Sequence, residues 1–329
     1  MSITHHKPAE PEWLATARAN ATKYLVLFAN NPGVERVVEQ FDSHYLSIKN
    51  PNKRLDYLSA LAAKEWDFRK GRERFEITED FPIDRPDSKA GQNVREGAIQ
   101  AEMASASIAT LRHYSILAIL GGAAKSPYYR LKYALEQHVS YDMLTYLGSE
   151  REVLPPEHER AKDYAPNAQT EFDLGEAAIR ALMPDQVTGE LIYEERTPRS
   201  RVARLRSQDN VPVLLLSAPP NQGGKRANTA DAYDFLRGYE GSALGPTKNI
   251  LFATGALYRY GQYFDAVREI SLKTGADIEV IGFEPSYSGM NFKPSQFLQE
   301  LKAAVDAAVR LRNAVDGTAR STADSATKL

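Results

Sequence analysis

Two strand–loop–helix units in succession constrain the fold of this chain more than any other feature of its sequence. The first begins with the apolar run from Val211 to Ser217, crosses a polar loop up to Asn228, and continues into a helical pattern. The second begins with the run from Lys248 to Ala253 and passes through Thr254 and a glycine into another helical pattern. A strand followed directly by a helix predicts parallel pairing, because parallel strands need a crossover of a dozen residues or more. The two units therefore predict a mainly parallel sheet covered by helices.

The same alternation of strands and helices continues on both sides of these units. It predicts an α/β fold, namely a Rossmann-like three-layer domain with a mainly parallel sheet over residues 113–315. The small, polar tail over 316–329 is predicted to be disordered. The further strands are expected over 115–120, 141–147, 189–196 and 277–282, the third of them at a sheet edge, and helices over 128–137, 173–183 and 294–315, with Asp173 as an N-cap.

Residues 1–112 have a different sequence pattern, with apolar residues at helical spacing and no alternation of period two. This pattern predicts an α-helical N-terminal region. Its last helix is expected over 93–111, with Ile99, Met103 and Ile108 facing a core. The sequence leaves open whether these helices form a lid over the sheet or a separate packing layer.

The composition narrows the classes of function. Aspartate and glutamate total 43 and lysine and arginine 41, so the net charge of -2 gives no global attraction to nucleic acid or to an anionic membrane. The absence of cysteine excludes disulfides, thiolate catalysis and cysteine-held metals. The N-terminus lacks the apolar core of a signal peptide, and no run approaches 18 apolar residues, so a cytoplasmic protein without a membrane segment is expected.

One local stretch, residues 196–206, is rich in arginine and could contact phosphate groups. No aromatic residue that could stack on a base is interleaved in it. A solvated basic face is therefore favoured, and nucleic acid is not expected as a partner.

The loop between Asn221 and Thr229 is the main candidate for ligand binding. Ligands of parallel α/β sheets lie outside the carboxyl ends of the strands, where this loop falls. Its glycines allow close backbone approach, Lys225 and Arg226 add positive charge, and Asn228 or Thr229 can cap the next helix. A helix N-terminus with this charge would hold a phosphate or carboxylate. The alternative is a solvated loop with ordinary capping by Asn228 and an aspartate three residues later.

Two other strand ends supply further candidate ligand contacts. A glycine pair follows the strand at 115–120, without the spacing of the dinucleotide fingerprint or of a P-loop. Close strand-to-helix packing alone could explain both glycines, and the arginine that follows could face solvent. The candidates are Gly121, Gly122 and Arg130 after that strand, and Thr254, Tyr258 and Arg259 after the strand that ends at Ala253.

Candidates for acid–base chemistry follow the strand at 141–147. Ser149 could contact a ligand, while Glu150 could act as an acid or base. His158 is the histidine best placed for proton transfer near neutral pH. Solvated charges are the alternative for both groups. No zinc, nucleophile-elbow or EF-hand motif occurs, so no metal site is expected.

With these strands placed, residues 114–284 resemble the YdcF-like or SanA-like proteins, a family defined by a domain of unknown function. The resemblance implies a Rossmann-like fold with a small-molecule site, and it names no reaction. It rests on Ile119 to Gly122 with Arg130 downstream, on Arg226 to Asp231 at a helix start, and on Ile250 to Thr254 leading into Tyr258 and Arg259.

Two hypotheses of function follow. The first is a cytoplasmic α/β enzyme, a transferase or hydrolase, acting on a phosphorylated, nucleotide-like or otherwise anionic small molecule. A nucleotide or S-adenosylmethionine is compatible with such a site, and so is a homo-oligomer. The alternative is a non-catalytic module that senses a ligand or binds a partner, since no nucleophile–base pair is visible in the sequence.

Overall fold

The computed structural model of the chain describes residues 11–72, 77, 79–221, 227–241 and 244–317. The helical N-terminal region contains α1 (Glu12–Ala29), α2 (Pro32–Val38), α3 (Pro51–Glu65) and α4 (Lys89–Gln100). Strands and helices then alternate: β1 (His113–Leu120), α5 (Ser126–Leu135), β2 (Ser140–Ser149), α6 (Pro155–Ala161), α7 (Glu171–Leu182), β3 (Val187–Arg196), β4 (Arg201–Ser207), β5 (Val213–Ala218), α8 (Thr229–Glu240), β6 (Asn249–Gly255), α9 (Arg259–Ala266), α10 (Leu272–Thr274), β7 (Asp277–Phe283) and α11 (Pro294–Val315).

The seven strands form one mixed sheet in the order β3-β4-β5-β2-β1-β6-β7. Five neighbours, from β5 to β7, are parallel to one another, whereas β4 is antiparallel to β5 and to β3. The five parallel strands are apolar because helices cover both of their faces. The predicted α/β class, with a mostly parallel sheet after a helical N-terminal region, is thus confirmed.

Helices lie on both faces of the parallel strands. On one face, α5 and α7 share a core with residues of β1, β2 and β5. On the other face, α8 and the turns that follow α9 pack against the same strands. The helix after β1 and the helix after β6 therefore lie on opposite faces of the sheet.

The N-terminal helices pack on the outer side of α9 together with α11. Residues of α1 to α4 share one hydrophobic core with Phe264 of α9 and with α11, which also contacts α3 and α4. Three of these helices begin at a polar N-cap, since Asn31, Asn50 and Ser88 accept hydrogen bonds from backbone amides of the first turn. No helix in the described ranges has the length and apolar character needed to cross a bilayer.

Several local expectations were wrong. The helix expected over 93–111 ends at Gln100, and Ile99 and Ile108 are 57% and 74% exposed instead of facing a core, although Met103 is buried as expected. The stretch 196–206 is largely strand β4, and its Arg201 is buried and forms ion pairs instead of being solvated. The N-cap of α7 is Thr170, and Asp173 completes its capping box from the third helical position.

Most of the tail predicted to be disordered, residues 318–329, lies outside the described residues.

Helices α2 and α4 approach closely through a glycine. A Cβ atom added at Gly97 would lie 2.6 Å from Cγ2 of Val37 and 2.8 Å from the carbonyl oxygen of Gly33. Only a hydrogen in place of a side chain lets these backbones come so near to each other.

We expect Gly97→Ala to lower the free energy of unfolding by about 1–3 kcal/mol, because the added methyl group would overpack this contact. The matched control is Gly238→Ala in α8, where an added Cβ would meet no described atom within 4 Å. That change should instead raise stability by about 0.5–1 kcal/mol through helix propensity. Urea titrations of both variants test the pair, and equal effects would contradict the close packing of α2 on α4.

Candidate functional site

The carboxyl ends of the parallel strands meet at one edge of the sheet, and the connections that follow β1 and β6 diverge there. The region between these two connections is called the crevice below. These strands are neighbours, but their following helices, α5 and α9, lie on opposite faces. Ligands of open α/β sheets bind at such a switch point, because the diverging connections leave a space between them. The residues around this crevice are therefore the first to consider.

Arg130 of α5 lies at the inner end of the crevice and is only 4% exposed. Its Nη1 atom donates a hydrogen bond of 2.9 Å to the carbonyl oxygen of Leu120 and a second one to that of Gly121. Its Nε atom is buried without a hydrogen-bond partner. The guanidinium carbon lies 5.7 Å from the ring centroid of Tyr258, which follows β6. Arg130 thus connects the two sides of the crevice.

Arg130 has no ion-pair partner in the described ranges, since no carboxylate there lies within 4 Å of its guanidinium. Burial lowers the pKa of Arg130, and nearby groups such as Tyr258 and Glu171 only partly oppose this effect. A buried charge is costly unless it is paired. Because its charge is only partly balanced, Arg130 is a candidate receptor for an anion.

The glycine pair after β1 makes room for these groups. A Cβ atom at Gly122 would lie 3.3 Å from Nη1 of Arg130, and one at Gly121 would lie 2.5 Å from Oε1 of Glu171. Both predicted glycines therefore border the crevice at the end of β1. Close packing against Ser126 and Gly148 also requires them, as the alternative interpretation supposed.

Glu171, in the first turn of α7, is a candidate that sequence reasoning missed. Its carboxylate accepts a hydrogen bond from the hydroxyl of Ser149, and its backbone carbonyl accepts one of 2.8 Å from Tyr146. Ser149 and Glu171 are 22 residues apart, so no motif joins them. The available signal was the capping box from Thr170 to Asp173, which marks the start of α7, the second helix after β2.

Glu150 and His158 do not contact each other through a hydrogen bond in the part of the chain described. Oε1 of Glu150 accepts a bond of 2.7 Å from Nε of Arg201, whose Nη1 bonds Asp173 at 2.9 Å. The guanidinium of Arg201 also lies 4.1 Å from the ring centroid of Phe172. His158 is half-buried on α6. These contacts place Glu150 in a network around Arg201.

The loop after β5 shows the capping that its sequence indicates. The side chain of Asn228 accepts hydrogen bonds from the amides of Ala230 and Asp231, and Asp231 accepts one of 2.9 Å from the amide of Asn228. Asn221 donates to the other oxygen of Asp231, and Thr229 is the first residue of α8. The predicted ligand contacts Lys225 and Arg226 lie outside the described residues.

The end of β6 contributes two further predicted residues. Thr254 is fully buried and its hydroxyl has no hydrogen-bond partner in the described ranges. Arg259 donates a bond of 2.6 Å to Glu102, which lies in the helical N-terminal region. Arg259 therefore links the sheet to the N-terminal helices, whereas Thr254 leaves a polar atom near the crevice.

The described residues contain no cluster of three or more metal-ligating side chains. A cavity of about 170 Å³ lies elsewhere, between the loop that follows α3 and the start of α11. Phe68, Arg69 and Gln299 are among the residues that line it. None of the predicted site residues borders this cavity.

Comparison with known proteins connects the helical region to a family. The family described as the Rv3785 N-terminal domain matches residues 15–94. The uncharacterized proteins Rv3785 of Mycobacterium tuberculosis H37Rv and Mb3814 of Mycobacterium bovis are 30% identical over 191 residues, which cover 54% of this chain and 53% of each relative. The chain thus spans about half the length of the curated relatives it matches. No solved structure matches the chain.

The resemblance to YdcF-like or SanA-like proteins was wrong, because the matching family and the relatives found are of the Rv3785 type. The physical reason lies in the short segments that carried it. The segment ending in Asp231 is a capping box, and the glycine pair at Gly121 fits close packing after a strand. Such features recur wherever a strand turns into a helix.

Arg201 provides a test of the network around Glu150. We expect Arg201→Met to lower the free energy of unfolding by about 2 kcal/mol, because two carboxylates lose their charged hydrogen-bond donor. Arg204→Met on the same strand is the control, since the pair with Glu194 is much more exposed and is worth at most about 1 kcal/mol. Urea denaturation measures both, and a smaller loss at Arg201 than at Arg204 would exclude a stabilising network.

The same network predicts a dependence on pH. Burial alone would raise the pKa of the Asp173 carboxyl, but Arg201 and the amides of Thr170 and Gln169 lower it below its ordinary value of 3.8. A lowered pKa stabilises the folded state above 3.8, and this contribution is lost as the pH falls through the folded value. When the pH is lowered from neutral to below 3.8, the free energy of unfolding should therefore fall less in Arg201→Met than in the unsubstituted protein. Urea titrations at both pH values measure this, and an equal fall in the two proteins would refute it.

Proposed function

We propose that this protein binds an anionic small molecule in the crevice between β1 and β6, with Arg130 as the counter-charge. The observation that carries the proposal is the burial of this guanidinium without a carboxylate partner in the described ranges. A bound anion would offset the cost of the buried charge, and a water-excluded site strengthens such an interaction. Phosphorylated and nucleotide-like molecules are the classes that this chemistry suits best.

The order of the strands supports a Rossmann-like domain. Taken in chain order, the five parallel strands β1, β2, β5, β6 and β7 lie in the spatial order third, second, first, fourth, fifth. This is the arrangement of doubly wound sheets, whose switch point lies beside the first strand. We infer a Rossmann-like three-layer domain over 113–315, preceded by the helical region 1–112. A cytoplasmic location stays a prediction from the sequence.

An enzyme is the favoured form of this proposal, with the reaction type unresolved between transfer and hydrolysis. The hydrogen-bonded pair of Ser149 and Glu171 supports it, because a carboxylate beside the anion receptor could move a proton on a bound ligand. Glu171 is a stronger acid–base candidate than Glu150, which is already bound by Arg201. His158 stays a second candidate on sequence grounds.

A non-catalytic module that binds a partner is the second candidate. The observation in its favour is that Tyr24, Val26 and Leu27 of α1 are exposed although they are largely apolar. Exposed apolar groups that lie together are common at protein interfaces. In that case the anion would be a sensed ligand, and no turnover would accompany its binding.

Ligand-dependent stabilisation tests the proposal. Phosphate, sugar phosphates, nucleotides, amino acids and S-adenosylmethionine are screened for a rise in melting temperature, which must occur for any ligand that binds the native state. We expect a phosphorylated compound to raise it, by an amount that corresponds to about 2.7 kcal/mol at a hundredfold excess over Kd. Arg130→Met should abolish this rise, and Lys225→Ala with Arg226→Ala should reduce it.

Arg36→Met is the matched control, because the substitution removes the same charge at a distant position. Arg36 lies in the helical region, where its partly exposed side chain pairs with Glu96. Circular dichroism of Arg130→Met establishes that the variant is folded, and Arg130→Lys offers a milder change if it is not. A rise that survives in a folded Arg130 variant would show that the crevice does not hold the anion.

A further inference from the structure

Aromatic rings border the crevice next to Arg130 and continue from β6 to β7. Gly255, the last residue of β6, has no side chain, and a Cβ atom there would lie 3.5 Å from the ring of Tyr258 and 3.7 Å from that of Phe283. The ring centroid of Phe283 lies 5.3 Å from that of Tyr287, which in turn lies 5.9 Å from that of Tyr129. Phe283, Tyr287 and Tyr129, together with Tyr258 on the other side of Gly255, are here called the aromatic wall.

The aromatic wall is only partly explained by the hydrophobic core. Phe283 is buried and contributes to the core beneath α5, as does Tyr133. Tyr129, Tyr258 and Tyr287 are half-buried, so a part of each side chain reaches the surface. The hydroxyl of Tyr287 donates a hydrogen bond of 2.7 Å to Glu136, which holds that ring in place.

The aromatic wall and Arg130 come together at Tyr258. The guanidinium lies 5.7 Å from the centroid of this ring, and the tyrosine next to Arg130 in the chain, Tyr129, contacts the other end of the wall at Tyr287. A ligand that places an anionic group near Arg130 therefore has aromatic rings within reach on the β7 side. Base–aromatic stacking tolerates any base, because every base has a π face.

We propose that the ligand of this crevice is a nucleoside phosphate, with its phosphate at Arg130 and its base against the aromatic wall. This inference rests on the proposed function, since it assumes the anion site at Arg130. It adds the chemical class of the ligand and assigns the base contact to Tyr129 and Tyr287.

Calorimetric titration of the full chain tests the inference with three kinds of probe: inorganic phosphate, ribose 5-phosphate and the four nucleoside monophosphates. We expect at least one nucleotide to bind about tenfold or more tightly than ribose 5-phosphate, from the stacking of its base. Tyr287→Leu should remove most of this gain while leaving the affinity for ribose 5-phosphate unchanged. Tyr287→Phe keeps the ring and should keep the gain.

Tyr24→Leu is the control, because Tyr24 is an exposed tyrosine of α1 whose ring contacts that of Tyr263 and is not part of the aromatic wall. Tyr129→Leu serves as a second variant if Tyr287→Leu does not fold.

Nucleotides that bind no better than ribose 5-phosphate, with both dependent on Arg130, would overturn the inference and leave the proposed function in place. Binding of no probe in an Arg130-dependent way would overturn both. If Tyr287→Leu and Tyr129→Leu both still bind the nucleotide more tightly than ribose 5-phosphate, the base binds elsewhere. This result would overturn the inference and leave the proposed function in place.

Discussion

Strand β1 pairs in parallel with a neighbour on each side, and most of the architecture depends on this arrangement. Its parallel hydrogen bonds to β2 and β6 require that the connections between parallel strands return across a face of the sheet. The helices that do so cover both faces, and the connections after β1 and β6 diverge at their carboxyl ends. The position of the crevice is a geometric result of this divergence.

Arg130 gives that crevice its chemical character. Burial of a guanidinium normally requires a carboxylate, as Arg201 illustrates with Glu150 and Asp173 on the other side of β2. Arg130 instead donates to two backbone carbonyl groups at the end of β1. These neutral acceptors bind its Nη1 atom without balancing its charge, and its Nε atom has no hydrogen-bond partner in the described ranges. Arg201 thus has a structural role, whereas Arg130 is the proposed receptor for an anion.

The sequence predicts those parts of the fold that depend on local pattern. The apolar runs identified the parallel strands, and helix α11 has the predicted bounds, because period and proline position are local signals. Strand β4 was missed because Arg201 looks solvated until its partners, 51 and 28 residues away, are known. The capping role of Asn228 could be predicted from its local sequence. The burial of Arg130 and the contact of Ser149 with Glu171 could not, because they arise only from tertiary packing.

The shared core of the N-terminal helices and α11 has a consequence for the order of folding. Helices α1 to α4 lack a complete apolar partner until the last long helix is present. Contacts of this kind join residues more than 200 positions apart, such as Arg69 with Glu300 and Arg312 with Asp56. Closing so long a loop is entropically costly and slow. Helices α1 to α4 therefore complete their packing only after α11, which lies more than 200 residues further along the chain, has formed.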